Sequence, residues 1–302
     1  MPRGGRHGHN GRMAAQHPTD AFACTVSQLF LHPIKSCAGI ELRERALIET
    51  GLDLDREWMV VDAHGEMLTQ RELPRLALVQ PTLRDHDIVL RAPGMLALHV
   101  WLDRVESRCR VRVWDDEVDA WDMGDLAAQW FSDFLGQPRL RLVRFDLEGR
   151  VRLAERRWTG DIQAPTVFAD GFPLLVASTG SMAELNRRLS AAGHETVTMA
   201  RFRPNIVLDG LRHPHDEDML ETLEIDAPEG PVVLKLVKPC VRCTIPDVDP
   251  ATAERGQTVA GTLAGYRADA RMNGGLTFGM NAIIVSGVDH TLAVGASVRA
   301  SF

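Results

Sequence analysis

The sequence predicts an α+β protein that is mostly β, built as a barrel or sandwich with a few peripheral helices. Three observations carry this. Short apolar runs with period-two alternation recur at near-even spacing. Turn residues punctuate them. Only two segments show helical periodicity. The 302 residues suffice for one large domain or two ordinary ones, and 45% hydrophobic against 25% charged residues implies a packed core.

Residues 24–34 (CTVSQLFLHPI) alternate apolar and polar and read as a strand. ALIET follows as another. WMVVD and EMLTQ, separated by AHG, read as a hairpin. LALVQPTLR, DIVLRAP, ALHVWL and CRVRVW continue the strand series. In 124–136, Leu126, Trp130, Phe131 and Phe134 fall at helical spacing, and Gly136 supplies a stop. RLRLVRF (139–145) reads as a strand, and the polar, Arg- and Pro-containing stretch 146–167 as the boundary. A second helix is expected over 178–193, capped by Ser178, with Met182, Leu185 and Leu189 on its apolar face. PLLVAS, RPNIVLDG, TLEID, VVLKLVKP, NAIIVSG and SVRAS are further strands, and 251–280 reads as a loop with one short helix. The division is therefore a disordered extension over 1–22, a first β part over 23–146 and a second over 147–302. Met13 is a plausible start.

The net charge of −7 argues against duplex nucleic acid as a partner, since that needs a broad basic face. It leaves room for a local basic pocket. No apolar run reaches the roughly 18 residues of a spanning helix, so no membrane partner is expected. Nor does the start carry an apolar signal region. Five cysteines, an odd number, in a chain without a signal argue for reduced thiols and a cytoplasmic setting.

Cys240 and Cys243 form a C-x-x-C just after an apolar strand. A zinc site wants four ligands, and the other cysteines are isolated. A thioredoxin-like pair wants an opening helix, but Pro246 and Pro250 follow. An iron–sulfur cluster wants four cysteines, and none lies beyond Cys243. A buried structural thiol and a single metal-ligating thiolate remain. Soft thiolates suit soft transition metals, and the neighbouring Lys238 and Arg242 are expected to favour the deprotonated sulfur.

At this point the chain resembles the MOSC family, whose domains are related to the C-terminal part of molybdenum cofactor sulfurases. Within it the chain is similar to the branch of the mitochondrial amidoxime-reducing components and their bacterial relatives. HPIKSCAGIEL (32–42), DREWMVVDAHGEMLTQRELPRLALV (55–79), RFRPNIVLDG (201–210) and KPCVRCTIPDVDP (238–250) carry the resemblance, which extends over about 24–302. It implies a β-barrel N-terminal MOSC part followed by the MOSC domain, with a molybdenum–molybdopterin cofactor between them. Cys243 would be the metal ligand. Lys35, Ser36 and Arg56 match the family's contacts to the pterin phosphate and its surroundings. Arg71 lies in the T-x-R stretch, Asp170 in FADGFP, and Arg203 and Asn205 in F-R-P-N. Arg242 and Thr244 flank the ligand as further cofactor contacts. Asp170, Asn205 and Thr244 are expected to touch substrate or cofactor, with Cys243, Asp170 and Asn205 as the catalytic set. Lys, Arg and Ser are the donors a doubly charged phosphate needs. Cys37 and Cys240 are expected to be structural or supporting.

The implied reaction is two-electron, two-proton reduction of a small N-hydroxylated or N-oxygenated substrate to product and water. The alternative is a molybdenum cofactor or sulfur carrier without reductase activity; a barrel binding small anions without metal is a third reading. Pyridoxal phosphate binding is also expected of this class. With no G-x-G-x-x-G fingerprint and no cluster cysteines after Cys243, electrons would come from a separate iron–sulfur or haem protein fed by a flavoprotein reductase. Relatives commonly end the stretch after the ligand in Thr-Gly, where this chain has Thr252–Ala253.

Overall fold

The computed structural model describes residues 22–149 and 151–302; the expected disordered extension lies outside the described residues, apart from Phe22, the first residue of a strand. A closed seven-stranded barrel organises the chain. Its strands are β1 (Phe22–Leu31), β2 (Leu174–Ser178), β3 (Ile206–Asp209), β4 (Thr222–Ile225), β5 (Val232–Val241), β6 (Gly275–Ser286) and β7 (Ser297–Ser301). The order around the barrel is β2-β3-β1-β7-β4-β5-β6, and β6 closes back onto β2. All pairs are antiparallel except β2–β3. The first strand of the chain thus sits among six strands from its second half. Inward alternation fills the barrel with Val26, Leu29, Val176, Leu208, Leu234 and Ala282, all at 0% exposure.

The closing seam depends on Gly279. Its φ is +77°, and a Cβ there would lie 2.6 Å from the Val176 carbonyl oxygen of β2. Only glycine takes this backbone without strain. Gly279→Ala is expected to cost about 2 kcal/mol or more, the range of strain at a special backbone position. Urea unfolding monitored by circular dichroism checks it.

The first half adds two smaller sheets. One pairs Gln80–Leu83, Asp87–Arg91 and Leu98–Trp101. The other runs Trp58–Val61, Arg141–Phe145, Asp116–Asp122, Ser107–Val113. The expected WMVVD/EMLTQ hairpin does not form a ladder. Val61 meets Met67 in an isolated bridge, and Trp58–Val61 pairs instead with the distant Arg141–Phe145. A long-range strand offered more ladder bonds than the near one. In 251–280 the expected short helix is Thr258–Ala264, but β6 already begins at Gly275.

Helix α1 (Asp125–Leu135) buries Ala127, Trp130, Phe131 and Phe134 and stops at Gly136, whose φ is +68°. Leu126, expected on the apolar stripe, is 75% exposed, and Ala127 takes the inward position. In the helix Thr179–Ala191 the Ser178 Oγ accepts from the Ser181 amide as an N-cap. One continuous core joins barrel residues such as Leu234 to Leu90, Trp130 and Phe131 of the first half.

Candidate functional site

Backbone bonds lace three distant segments together beside the barrel. The Lys35 amide donates to the Trp58 carbonyl (2.8 Å), the Arg56 amide to His32 (2.8 Å) and the Phe168 amide to Arg56 (3.2 Å). A cleft of about 770 Å³, its open mouth included, lies against this lacing and the end of β5. Lys35, Ser36, Arg56, Arg71, Asp170 and Arg203 line it, together with Asn205, Arg242 and Cys243. Thus nine of the ten residues singled out from the sequence converge there. Thr244 does not: it lines a neighbouring hollow that shares Arg71 with the cleft.

Three cleft residues hold non-glycine backbones at positive φ: Ser36 (66°), Arg56 (54°) and Arg203 (55°). Such conformations persist only where surroundings enforce them, and they cluster at functional sites.

Five cations and one carboxylate face the space. Lys35 Nζ donates to the Phe168 carbonyl (2.8 Å) and to Asp170 Oδ1 (2.5 Å). Burial pushes the Lys35 ammonium down, Asp170 counters it, and Arg152 and Arg56 add to the lowering. Removal from water works against the Asp170 carboxylate. Even so, Lys35, by charge and hydrogen bond, then Arg56 and Arg71, hold it well below the usual carboxylate range. Arg203 is pushed down to about 10 by burial and by Arg56, and so stays charged at neutral pH.

The cations divide by what they already hold. Arg56 bonds Asp55, Asn205 Oδ1 (3.2 Å) and the Arg203 carbonyl (3.0 Å). Arg242 donates to Cys240 Sγ (2.9 Å) and the Phe202 carbonyl (2.9 Å). Arg203 Nη1 donates to the Cys37 carbonyl, while its buried Nη2 has no partner among the described residues. Arg71 Nε donates to Thr69 Oγ1 (3.1 Å), and its two terminal amino groups are uncommitted among the described residues. An orphaned buried guanidinium nitrogen is costly unless a ligand meets it. The free donors among the described residues therefore sit on Arg203, Arg71 and the buried Nε of Arg242, and an anion such as a phosphate fits them.

Asn205 is 1% exposed. Its Oδ1 accepts from Arg56 and from the Leu175 amide (3.1 Å), and its Nδ2 donates to the Phe30 carbonyl (3.3 Å). These bonds tie β1, β2 and the start of β3 together and fix Arg56.

Cys243 is exposed at the cleft, and its sulfur accepts from the Ile245 amide (3.5 Å). The neighbours expected to favour its thiolate are engaged elsewhere. Lys238 pairs with Glu155 (3.1 Å), and Arg242 reaches Cys240. Arg242 and Cys243 both lie past the last residue of β5, Val241, and the Arg242 side chain turns back onto Cys240 and the Phe202 carbonyl. Cys240 also lines the cleft, and Cys37 is buried, its thiol pushed up to about 12 by burial. Ala253 has φ +62°, a backbone that the glycine expected there would take without strain.

Sequence reasoning missed Thr69, which fixes Arg71, and His32. His32 is buried behind Arg56 and Arg203, its Nε2 donates to the Pro204 carbonyl (3.1 Å), and burial holds its ring well below its usual value. The HPIKS stretch contained it, but nothing in the spacing marked it. Among the described residues no group of three or more His, Cys, Asp or Glu side chains could hold a metal ion. A metal at Cys243 would need ligands brought by a cofactor.

Comparison with known proteins gives two domain matches. Residues 23–138 match the MOSC N-terminal beta barrel domain and residues 163–299 the MOSC domain. Mitochondrial amidoxime reducing component 2 of Bos taurus is 35% identical over 252 residues, covering 80% of this chain and 72% of that protein. The protein of the same name from Homo sapiens is 32% identical over the same shares. Human molybdenum cofactor sulfurase is 32% identical over 90% of this chain but only 32% of its own length.

Proposed function

From the premise that this chain belongs to the MOSC-domain family, we propose that it is a molybdenum-cofactor-dependent oxidoreductase that reduces N-hydroxylated or N-oxygenated substrates. The observation that carries the reading is the meeting, in one cleft, of an exposed thiol on Cys243 with guanidinium nitrogens on Arg203 and Arg71 that have no partner among the described residues. A pterin phosphate would supply the anion those nitrogens lack, and the cofactor would bring the remaining ligands of a metal held on Cys243. Bound there, the cofactor would supply two-electron oxygen-atom chemistry.

The protein's own residues would do the rest. Arg203, Arg71 and the Ser36 hydroxyl would grip the phosphate. Arg56, held by Asp55 and Asn205, would keep the floor charged and rigid. Asp170, ionised at neutral pH, would hold Lys35 and stand at the mouth as an acceptor toward substrate. Thr244, in the adjoining hollow, would meet the substrate's far side. Among the described residues no helix is long and apolar enough to cross a membrane, and a cytoplasmic setting is part of the proposal. Pyridoxal phosphate would meet the same donors and is told apart by its absorbance.

The test is turnover of benzamidoxime by purified protein. With reduced viologen the expected result is benzamidine formation. With NADH or NADPH alone no turnover is expected, because electrons would arrive through a separate iron–sulfur or haem protein and its flavoprotein reductase, in a small transient contact. Ordinary rates with nicotinamide alone would remove the partner requirement. Bound cofactor without any turnover would favour the cofactor or sulfur carrier.

A further inference from the structure

The hairpin Ser107–Val113/Asp116–Asp122 turns through two residues, Trp114 and Asp115, since Val113 pairs with Asp116. The first residue of such a loop takes positive φ, and glycine is its usual occupant. Here it is Trp114, at φ +57° and 38% exposed. A bulky side chain in that conformation is a rare and strained choice. Nothing in the sheet requires it, because the indole does not belong to the core beneath the hairpin.

The indole lies instead against the cleft's cations. The Arg71 guanidinium carbon stands 4.4 Å from its ring centre, and Lys35 Nζ 5.9 Å. The hairpin is itself anchored toward the site. Asp116, beside the turn, pairs with Arg152 (2.8 Å), and Arg152 Nη1 donates to the carbonyls of Val167 and Ala169, immediately before Asp170. Arg71 is thus fixed at two points, its Nε by Thr69 and its plane by Trp114, with both terminal amino groups left over among the described residues. A free arginine side chain is long and loses rotamer freedom when it grips a ligand; one already held in plane loses less.

We propose that Trp114 is a positioning residue: the strained hairpin tip presents an aromatic face that holds Arg71 in register to grip a phosphate group in the cleft. This rests on the cofactor reading above for the identity of the phosphate, but on this chain's own geometry for the device. The tip residue is one that a stable hairpin alone would not choose. Relaxing the turn and losing the grip should therefore go together.

The experiment titrates full-length protein, produced in cells that make no molybdenum cofactor, with inorganic phosphate by calorimetry, alongside thermal melts. Trp114→Asn, which suits the turn, should weaken phosphate about threefold to fivefold, the size of an exposed cation–π contact. It should leave the melting temperature unchanged or raise it. Trp114→Phe should keep most of the affinity. In an Arg71→Ala background, Trp114→Asn should have no further effect on binding, because its action runs through Arg71. Wild-type binding that Trp114→Asn leaves unaltered overturns this inference while leaving the cofactor reading intact. So does a loss that tracks a lower melting temperature and that phenylalanine fails to rescue. A wild-type protein that binds no phosphate sinks both.

Discussion

Cys243→Ala should abolish bound molybdenum and lower benzamidoxime reduction at least about a hundredfold, the upper range for losing a mere supporting partner of a metal ligand. Cys243 is exposed, and among the described residues its sulfur meets one amide. The fold should therefore survive, with stability within about 0.5 kcal/mol of wild type. Cys240→Ala should retain most activity. Its sulfur receives Arg242 Nη1 at 2.9 Å, so its loss frees a guanidinium but removes no ligand. Metal analysis and turnover on the same preparations check both. Equal loss from the two substitutions would point to a cysteine pair acting together.

Arg56→Ala should have the largest effect on stability. Arg56 pairs with Asp55, whose side chain is 1% exposed, and also holds Asn205 and the Arg203 carbonyl. Removing one partner of a buried pair leaves the other charge uncompensated, at about 3 to 5 kcal/mol. Asp55 keeps one bond, from the His32 amide (2.8 Å), which places the expectation near the lower end. Arg56→Lys should rescue little, because a point charge cannot reach all three acceptors that the guanidinium fork spans. Adding Asp55→Asn to Arg56→Ala should recover part of the loss, since the two residues share one interaction. Urea unfolding reads each step. Pterin retention should fall in parallel, because Arg203 and Asn205 lose their common support.

Much of this was legible in the residues. Period-two alternation gave the strands, and the helical stripes gave the helices at Asp125–Leu135 and Thr179–Ala191. The C-x-x-C narrowed the chemistry to a single thiolate or a structural thiol, and the motif resemblance chose between them. What stayed hidden was non-local. No local pattern says that β1 will pair with β3 and β7, nearly 180 and 275 residues later along the register Leu29↔Ile206 and Cys24↔Val298. The same blindness misassigned the partner of Trp58–Val61. Within the site, residue type announced the cations but not their commitments. Arg56 is largely spent on the protein, while Arg71, Arg203 and the Nε of Arg242 keep donors without a partner among the described residues. Trp114 read as the last residue of the strand CRVRVW, whereas the strand ends at Val113 and Trp114 enters the turn, since positive φ leaves no trace in a tryptophan.

The central claim is that this cleft holds a molybdenum–pterin cofactor on Cys243. The most direct measurement is the molybdenum and pterin content of freshly purified wild-type protein, set beside Cys243→Ala. The account predicts molybdenum and pterin in equal amounts in the wild type, with the metal lost from the variant. Well-folded wild-type protein from cells that make the cofactor, containing neither, would contradict it, as would a Cys243→Ala variant that keeps its molybdenum.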